Sequence, residues 1–260
     1  MADQTHFEQS RAVIVGGTSG VGLATAIQFA AAGSRRIALV GRNAERGEAA
    51  RQAVLAHAQA ADVHFLSADV GDVGAAQRVV AEVKDRFGGI DILVNSTSTA
   101  YVPELFFRLA PESLASPITE LVMAPVNMAH AVIPVMREQH YGVIINIASD
   151  AAKVPTPGET IVGAAMAAIV MFSRTLALEG KRDGIRVHAL TPSLIAGTPT
   201  AARATESGFS AKLFERAAAQ ADFGVATPED VAALIVFLAG PGAARMTGQV
   251  ISVNGGISIA

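Results

Sequence analysis

The chain has 260 residues, 51% of them hydrophobic and 17% charged, with a formal net charge of −3 and no cysteine. Disulfides, thiolate metal sites and a cysteine nucleophile are excluded outright. The apolar content is far from that of a disordered chain, and the lack of a basic run removes the usual footprint of nucleic-acid binding. The first ten residues carry Asp3 and Glu8 and have no apolar core of the secretory-signal kind. The longest apolar run, residues 160–172, is shorter than the ~20 residues a bilayer span needs. A cytoplasmic protein with no membrane partner is expected, and the absence of cysteine fits that compartment.

Residues 11–15 predict a first strand, followed by a glycine-rich turn and a helix over 20–32 that Gly33 closes in the left-handed conformation. A second strand is expected at 37–40, a helix at 44–60, a third strand at 63–67, a helix at 72–86 and a fourth strand at 90–94. Two helical stretches fall within 111–138. A fifth strand follows at 143–147, a long apolar helix at 160–178 and a sixth strand at 185–190. Residues 191–223 read as a variable region. Thr227-Pro228-Glu229-Asp230 is a strong helix start, with a capping threonine, proline in the first turn and acids at the positive end of the dipole. That helix ends near Ala239, and 250–253 is a last strand.

Strands and helices that alternate in this way predict a doubly wound parallel sheet of about seven strands with helices on both faces, a Rossmann fold, in a single domain over 1–260. The strand runs are continuously apolar, as strands buried on both faces should be.

The segment Gly16-Gly17-Thr18-Ser19-Gly20-Val21-Gly22 lies between the first strand and the first helix. Glycines there let the backbone approach a pyrophosphate, and the helix N-terminus turns N–H groups and positive dipole toward it. Thr18 and Ser19 add hydroxyl donors. The spacing is G-x-x-x-G-x-G over Gly16, Gly20 and Gly22. With Asp69-Val70, Asp91-Ile92-Leu93-Val94-Asn95, Asn146-Ile147-Ala148-Ser149, Thr191-Pro192 and Thr247-Gly248-Gln249 in order along the chain, the sequence resembles the short-chain dehydrogenase/reductase family over nearly its whole length.

In this fold the end of the second strand meets the adenosine ribose, where an acid suits NAD and a base suits NADP. Gly41 stands in the acidic slot and Arg42 follows, which favours NADP over NAD because a guanidinium matches a phosphate. The resemblance implies that Asp69 contacts the adenine, that Val70 packs on its ring, that Asn95 opens the turn beside the cofactor and that Thr198 contacts the carboxamide. Ser98 replaces a glycine of that turn and is expected to crowd the nicotinamide ribose. Ser193 replaces the glycine that commonly follows Pro192.

The family's reaction is hydride transfer between nicotinamide and a carbonyl or alcohol, served by a Ser, a Tyr, a Lys and an Asn. Ser149 matches the Ser. The slots for Tyr, Lys and Asn fall on Val162, Met166 and Leu121, and no Tyr-x-x-x-Lys occurs anywhere in the chain. Asn127 lies six residues past the Asn slot, about 240° round a helix, and should face elsewhere. Losing the general acid forfeits about 10²- to 10⁴-fold in rate.

Other residues near the expected cleft have ordinary readings. Asp150 and Lys153 are expected as solvated loop charges, Tyr101 as a cleft-wall residue and His130 as an interface or core histidine. Glu159 is a carboxylate that can act as a base in elimination or isomerisation if burial raises its pKa. Residues 160–178 are apolar nearly all round and carry Gly163, Ala164, Ala167 and Ala168, so a homodimer or homotetramer is expected. No metal site is expected. The partners are then a nicotinamide dinucleotide and a small molecule that the sequence does not name. Three functions stay open: an oxidoreductase of weak, altered or absent activity, an NADP-binding sensor or partner subunit, and a non-redox isomerase or lyase.

Overall fold

A computed structural model of the chain describes residues 4–206 and 208–260. Seven strands form one parallel sheet: β1 (Arg11–Val15), β2 (Arg36–Gly41), β3 (Asp62–Ser67), β4 (Ile92–Asn95), β5 (Gly142–Ile147), β6 (Ile185–Leu190) and β7 (Val250–Ile251). Their spatial order is β3-β2-β1-β4-β5-β6-β7, all neighbours parallel. The order reverses at β1, which pairs with β2 on one side and β4 on the other. A crevice therefore opens beyond the carboxyl ends of these strands, where ligands bind in such sheets.

Successive residues of β1 feed opposite faces, as the two-residue strand period requires. Val13 and Val15 join one core with α4 (Val73–Phe87), α5 (Ala115–Gln139) and α6 (Thr160–Gly180). Ala12 and Ile14 join the other with α2 (Gly20–Ala31), α3 (Ala44–Leu55) and α9 (Pro228–Ala239). A short helix α1 (Gln4–Gln9) precedes β1, and its Phe7 packs on Phe29 of α2 with ring centroids 5.5 Å apart. Residues 1–3 lie outside the described part. At α9 the expected cap is complete: Thr227 Oγ1 accepts from the Asp230 amide at 3.3 Å and Asp230 Oδ2 accepts from the Thr227 amide at 2.8 Å.

Several boundaries differ from expectation. The helix expected to reach residue 60 stops at Leu55, because the chain must turn for the Asp62 amide to donate to the carbonyl of Arg35. The fourth strand spans Ile92–Asn95, and just before it the Asp91 side chain accepts a two-pronged ion pair from Arg11. The two stretches within 111–138 are a 3₁₀ turn at Pro111–Ser113 and one helix that runs through Pro125 and Pro134. The last strand is two residues long rather than four. The variable region contains two helices, α7 (Pro199–Thr205) and α8 (Gly208–Ala219). The apolar helix is also longer than the apolar run that marks it, at 21 residues. It and the stretch Pro111–Gln139 are long and apolar enough to cross a membrane by length and composition, yet each packs on the sheet and on the other.

Candidate functional site

One cleft of about 1250 Å³ runs along the carboxyl ends of the strands, from α3 past the glycine-rich turn to α8. At its centre Gly16, Thr18, Ser19, Gly20 and Val21 join β1 to α2. Gly16 has φ +75°, and a Cβ there would stand 2.3 Å from the Ser96 carbonyl oxygen. A Cβ on Gly22 would meet the Gly16 oxygen at 2.3 Å, so the turn closes on itself only without side chains. The Gly16 amide donates to the Val40 carbonyl at 2.9 Å, which pins the turn to β2. Ser19 precedes α2 in an extended conformation, and its hydroxyl does not cap the helix. That hydroxyl and the first amides of a twelve-residue helix form a cradle suited to a pyrophosphate.

Beyond the ends of β2 and β3, Arg42 Nη1 lies 3.9 Å from Asp69 Oδ2, with both side chains about two-thirds exposed. A pair so open contributes little to stability and leaves the guanidinium available. Arg46, in the first turn of α3, lines the same end. It is not among the residues singled out from the sequence, and no motif marks it. Val70 is buried at the cleft wall, and its carbonyl and that of Gly71 accept from Asn127 Nδ2 at 3.1 and 2.9 Å. Asn127 thus faces the loop after β3, away from Ser149, as the helical phase required.

Asn95 was expected to open the turn beside the cofactor. It is 2% exposed and lies beneath the cleft, where Nδ2 donates to Asn146 Oδ1 at 2.8 Å. Asn146 Nδ2 in turn donates to Ser173 Oγ at 2.9 Å. This chain of amides ties β4, β5 and α6 together under the site. Thr198 lies in the wall against Gly20, but its hydroxyl caps α7, accepting from the Ala201 amide at 3.1 Å. Ser98 turns its hydroxyl to Thr200 Oγ1 at 2.9 Å, so the residue expected to crowd the ribose also fastens the loop after β4 to α7.

Ser149 lines the cleft at the end of β5 and accepts from the Ala151 amide at 3.3 Å. Around it Leu121, Met166 and Val162 belong to one apolar cluster with Ala148, Ala165 and Ile169. All three expected slots line the cleft, and none can exchange a proton.

Asp150 and Lys153 overturn the reading as solvated charges. Asp150 is 5% exposed and accepts from Ser252 Oγ at 3.0 Å, from Asn254 Nδ2 at 2.7 Å and from Ser258 Oγ. Lys153 Nζ donates to Ser252 Oγ at 2.6 Å and to the Ala260 main-chain oxygen at 2.7 Å, and stands 3.7 Å from Asp150 Oδ1. The pair buckles the segment after β7 onto the turn after β5, where Ile257 and Ser258 complete the cleft wall. Asp150→Ala is expected to lower unfolding free energy by at least about 2 kcal/mol, because several donors to one buried carboxylate lose their acceptor together. Urea denaturation checks this, and a loss under about 0.5 kcal/mol, the range of surface substitutions, sinks it.

Two groups in the cleft wall have a raised pKa. The Glu159 carboxyl is pushed up to about 7, chiefly by burial with a contribution from the charge of Asp150, against an opposing hydrogen bond from Thr156. The Tyr101 phenol is raised mainly by burial. Both line the cleft, as expected of Tyr101. His130 is exposed in this chain, which removes the core-histidine reading. Among the described residues no group of three or more His, Asp or Glu side chains is placed to hold a metal ion.

Comparison with known proteins agrees with this geometry. A family model described as Enoyl-(Acyl carrier protein) reductase matches residues 15–258. The 3-oxoacyl-(acyl-carrier-protein) reductase FabG of Chlamydia muridarum is 32% identical over 248 residues, 95% of this chain and 96% of that one. The chain belongs to the short-chain dehydrogenase/reductase family. Acetoacetyl-CoA reductase of Rhizobium meliloti, 32% identical over 246 residues, covers 94% of this short-chain dehydrogenase/reductase and 97% of its own length. Levodione reductase superposes with a TM-score of 0.89 at 26% identity, covering 95% of this chain and 97% of its own. L-sorbose reductase from Gluconobacter frateurii, solved with NADPH and L-sorbose, gives 0.83 at 35% identity over 95% and 96%. The chain is thus a family oxidoreductase by descent, with a Rossmann sheet of the family's form.

Proposed function

We propose that the chain, one domain over 1–260, binds NADP(H) in this cleft and has lost or altered the family's standard interconversion of carbonyl and alcohol. The observation that carries the reading is a glycine cradle and an apolar wall in one cleft: Leu121, Val162 and Met166 cluster with Ala148, next to Ser149, where an amide, a phenol and an ammonium are expected. Gly16, Thr18, Ser19, Gly20, Val21 and Gly22 hold the pyrophosphate, Asp69 and Val70 the adenine, and Thr198 the carboxamide. Arg42, with Arg46 beside it, takes the 2′-phosphate. A bound nicotinamide supplies hydride transfer to or from carbon. Ser149 holds the substrate oxygen but cannot by itself supply a proton at neutral pH.

A fluorescence titration with NADPH and NADH tests the binding half. NADPH is expected to bind about tenfold or more tighter than NADH, and Arg42→Ala to remove most of that preference, since a charge-assisted contact to phosphate is worth on the order of 1.5–3 kcal/mol. Equal affinity for both dinucleotides in the parent chain overturns the assignment to NADP. Absence of binding to either removes the proposal.

A second reading draws on Glu159. A desolvated carboxyl near 7 in the cleft is suited to carry protons between carbons in an isomerisation or elimination without net redox change. The purified chain with NADPH but no turnover on ketones, yet catalysing exchange of α-protons of a ketone with solvent, favours it over a sensor.

We also propose that the chain works in the cytoplasm as a homodimer or homotetramer built on α5 and α6. Met171 and Leu178 of α6 are 60% and 66% exposed in the single chain, on a helix whose other side is core. Sedimentation at micromolar concentration is expected to give at least a dimer, and a monomer alone overturns this.

A further inference from the structure

We infer that the end of the cleft under α8 takes a ligand with an apolar body and an anionic group, a carboxylate or phosphate monoester, and that Lys212 and Arg216 hold that group. The inference rests on the reading of the cleft as a dinucleotide and substrate site. Phe209, Lys212, Leu213, Arg216, Ala217 and Gln220 all line the cleft. Phe214 lines it too, and Gln220 follows the end of the helix; the spacings of three, one, three and one residues from Phe209 to Ala217 place those five on a single helical face. Phe209 fixes that face in position: a Cβ on Gly158 would stand 2.4 Å from its ring, so the ring lies directly on the backbone beside Glu159.

No ion pair among the described residues neutralises the charges on this face, although Glu120, Asp150 and Glu159 also line the cleft. Neither Lys212 nor Arg216 makes an ion pair or side-chain hydrogen bond with another described residue, while Arg203, the remaining cation of this region in the cleft wall, donates to the Thr99 carbonyl at 3.1 Å. Glu206 and Glu215, the acids of the same region, do not line the cleft. A lysine and an arginine one turn apart converge on one anion, the guanidinium in a planar fork and the ammonium as a point charge. Phe209 and Leu213 add apolar surface to the same wall, and Val162 and Met166 also line the cleft. The dinucleotide does not account for the pair. Arg42 and Arg46 already serve its phosphate end beyond β2, whereas α8 follows β6, with β1, β4 and β5 lying between those two strands in the sheet. The cleft therefore carries a cationic pair at each end.

Calorimetric titration of the full chain with hexanoate, hexyl phosphate and hexanol, with and without saturating NADPH, tests the inference. At least one anion is expected to bind about tenfold tighter than hexanol, and whether hexanoate or hexyl phosphate leads identifies the group. In Lys212→Ala/Arg216→Ala the anion is expected to fall to the affinity of hexanol, while NADPH affinity stays within about twofold. Hexanol binding as tightly as both anions, or an anion preference that survives in the double variant, overturns the inference. Loss of NADPH affinity in the double variant also overturns it, since the cations then serve the dinucleotide. If the parent chain binds no NADPH, the anion series without NADPH still reads the α8 pair on its own.

Discussion

With NADPH and a panel of ketones, the double variant Val162→Tyr/Met166→Lys is expected to reduce at least one substrate about 10²- to 10⁴-fold faster than the parent chain. The two positions lie one turn apart on α6 and line the cleft with Ser149. A phenol at 162 supplies the proton that Ser149 cannot, and an ammonium four residues on lowers the phenol pKa from about 10 toward neutrality. Met166 is nearly buried, so the new lysine enters a partly desolvated site and its own pKa falls. The single variant Val162→Tyr should therefore fold better and gain less. Circular dichroism and NADPH titration establish that each variant is folded and loaded. A folded, loaded double variant no faster than the parent shows that residues 162 and 166 do not face the reacting carbon, and the apolar-wall account of the missing activity fails.

Replacing Glu159 by Gln is expected to remove one of two opposing contributions to the dependence of stability on pH. The folded chain holds this carboxyl at about 7, above its ordinary value of 4.5. Between those values the folded state binds more protons than the unfolded state, so the contribution of Glu159 is full below 4.5 and is lost as pH rises through 7. The gap corresponds to about 3 kcal/mol. His188 acts in the opposite sense: burial and the neighbouring Arg186 push it down to about 4, so its burial costs stability below 6.5 and that cost fades as pH rises to 6.5. The two slopes overlap between about 4.5 and 6.5, and the parent's total curve does not isolate either. The difference between parent and Glu159→Gln does. That difference in unfolding free energy should move by about 2–3 kcal/mol in favour of the variant between pH 5 and pH 8. A constant difference across that range shows that the carboxyl is ionised in the folded chain well below neutrality.

The parts of the fold set by local chemistry were legible. Apolar runs without alternation located the buried strands, the glycine spacing located the turn after β1, and Thr227 to Asp230 located a helix start whose two hydrogen bonds are both made. What the sequence hid depends on partners far along the chain. Asp150 looked like a loop charge because the groups that bind it, Ser252, Asn254 and Ser258, come about a hundred residues later. Asn95 sits in the expected motif, yet its side chain is claimed by Asn146 on the adjacent strand, at the position the sheet register sets opposite it. Two helical stretches were expected within 111–138, but the residues around Pro125 and Pro134 pack on the sheet strongly enough to carry one helix through both. The face of α8 was hidden because its alternation of aromatic, cationic and aliphatic residues has meaning only once Phe209 is seen lying on Gly158.

The chain has two tyrosines and no tryptophan. Tyr101 stands in the cleft wall, while Tyr141 precedes β5 at the opposite, amino-terminal edge of the sheet and is packed among core residues. Biosynthetic labelling with fluorotyrosine therefore yields two fluorine resonances with separate meanings. One responds to whatever fills the crevice, and the other supplies a built-in reference far from it, so occupancy by colourless, non-fluorescent compounds becomes readable without altering a single side chain of the site by mutation.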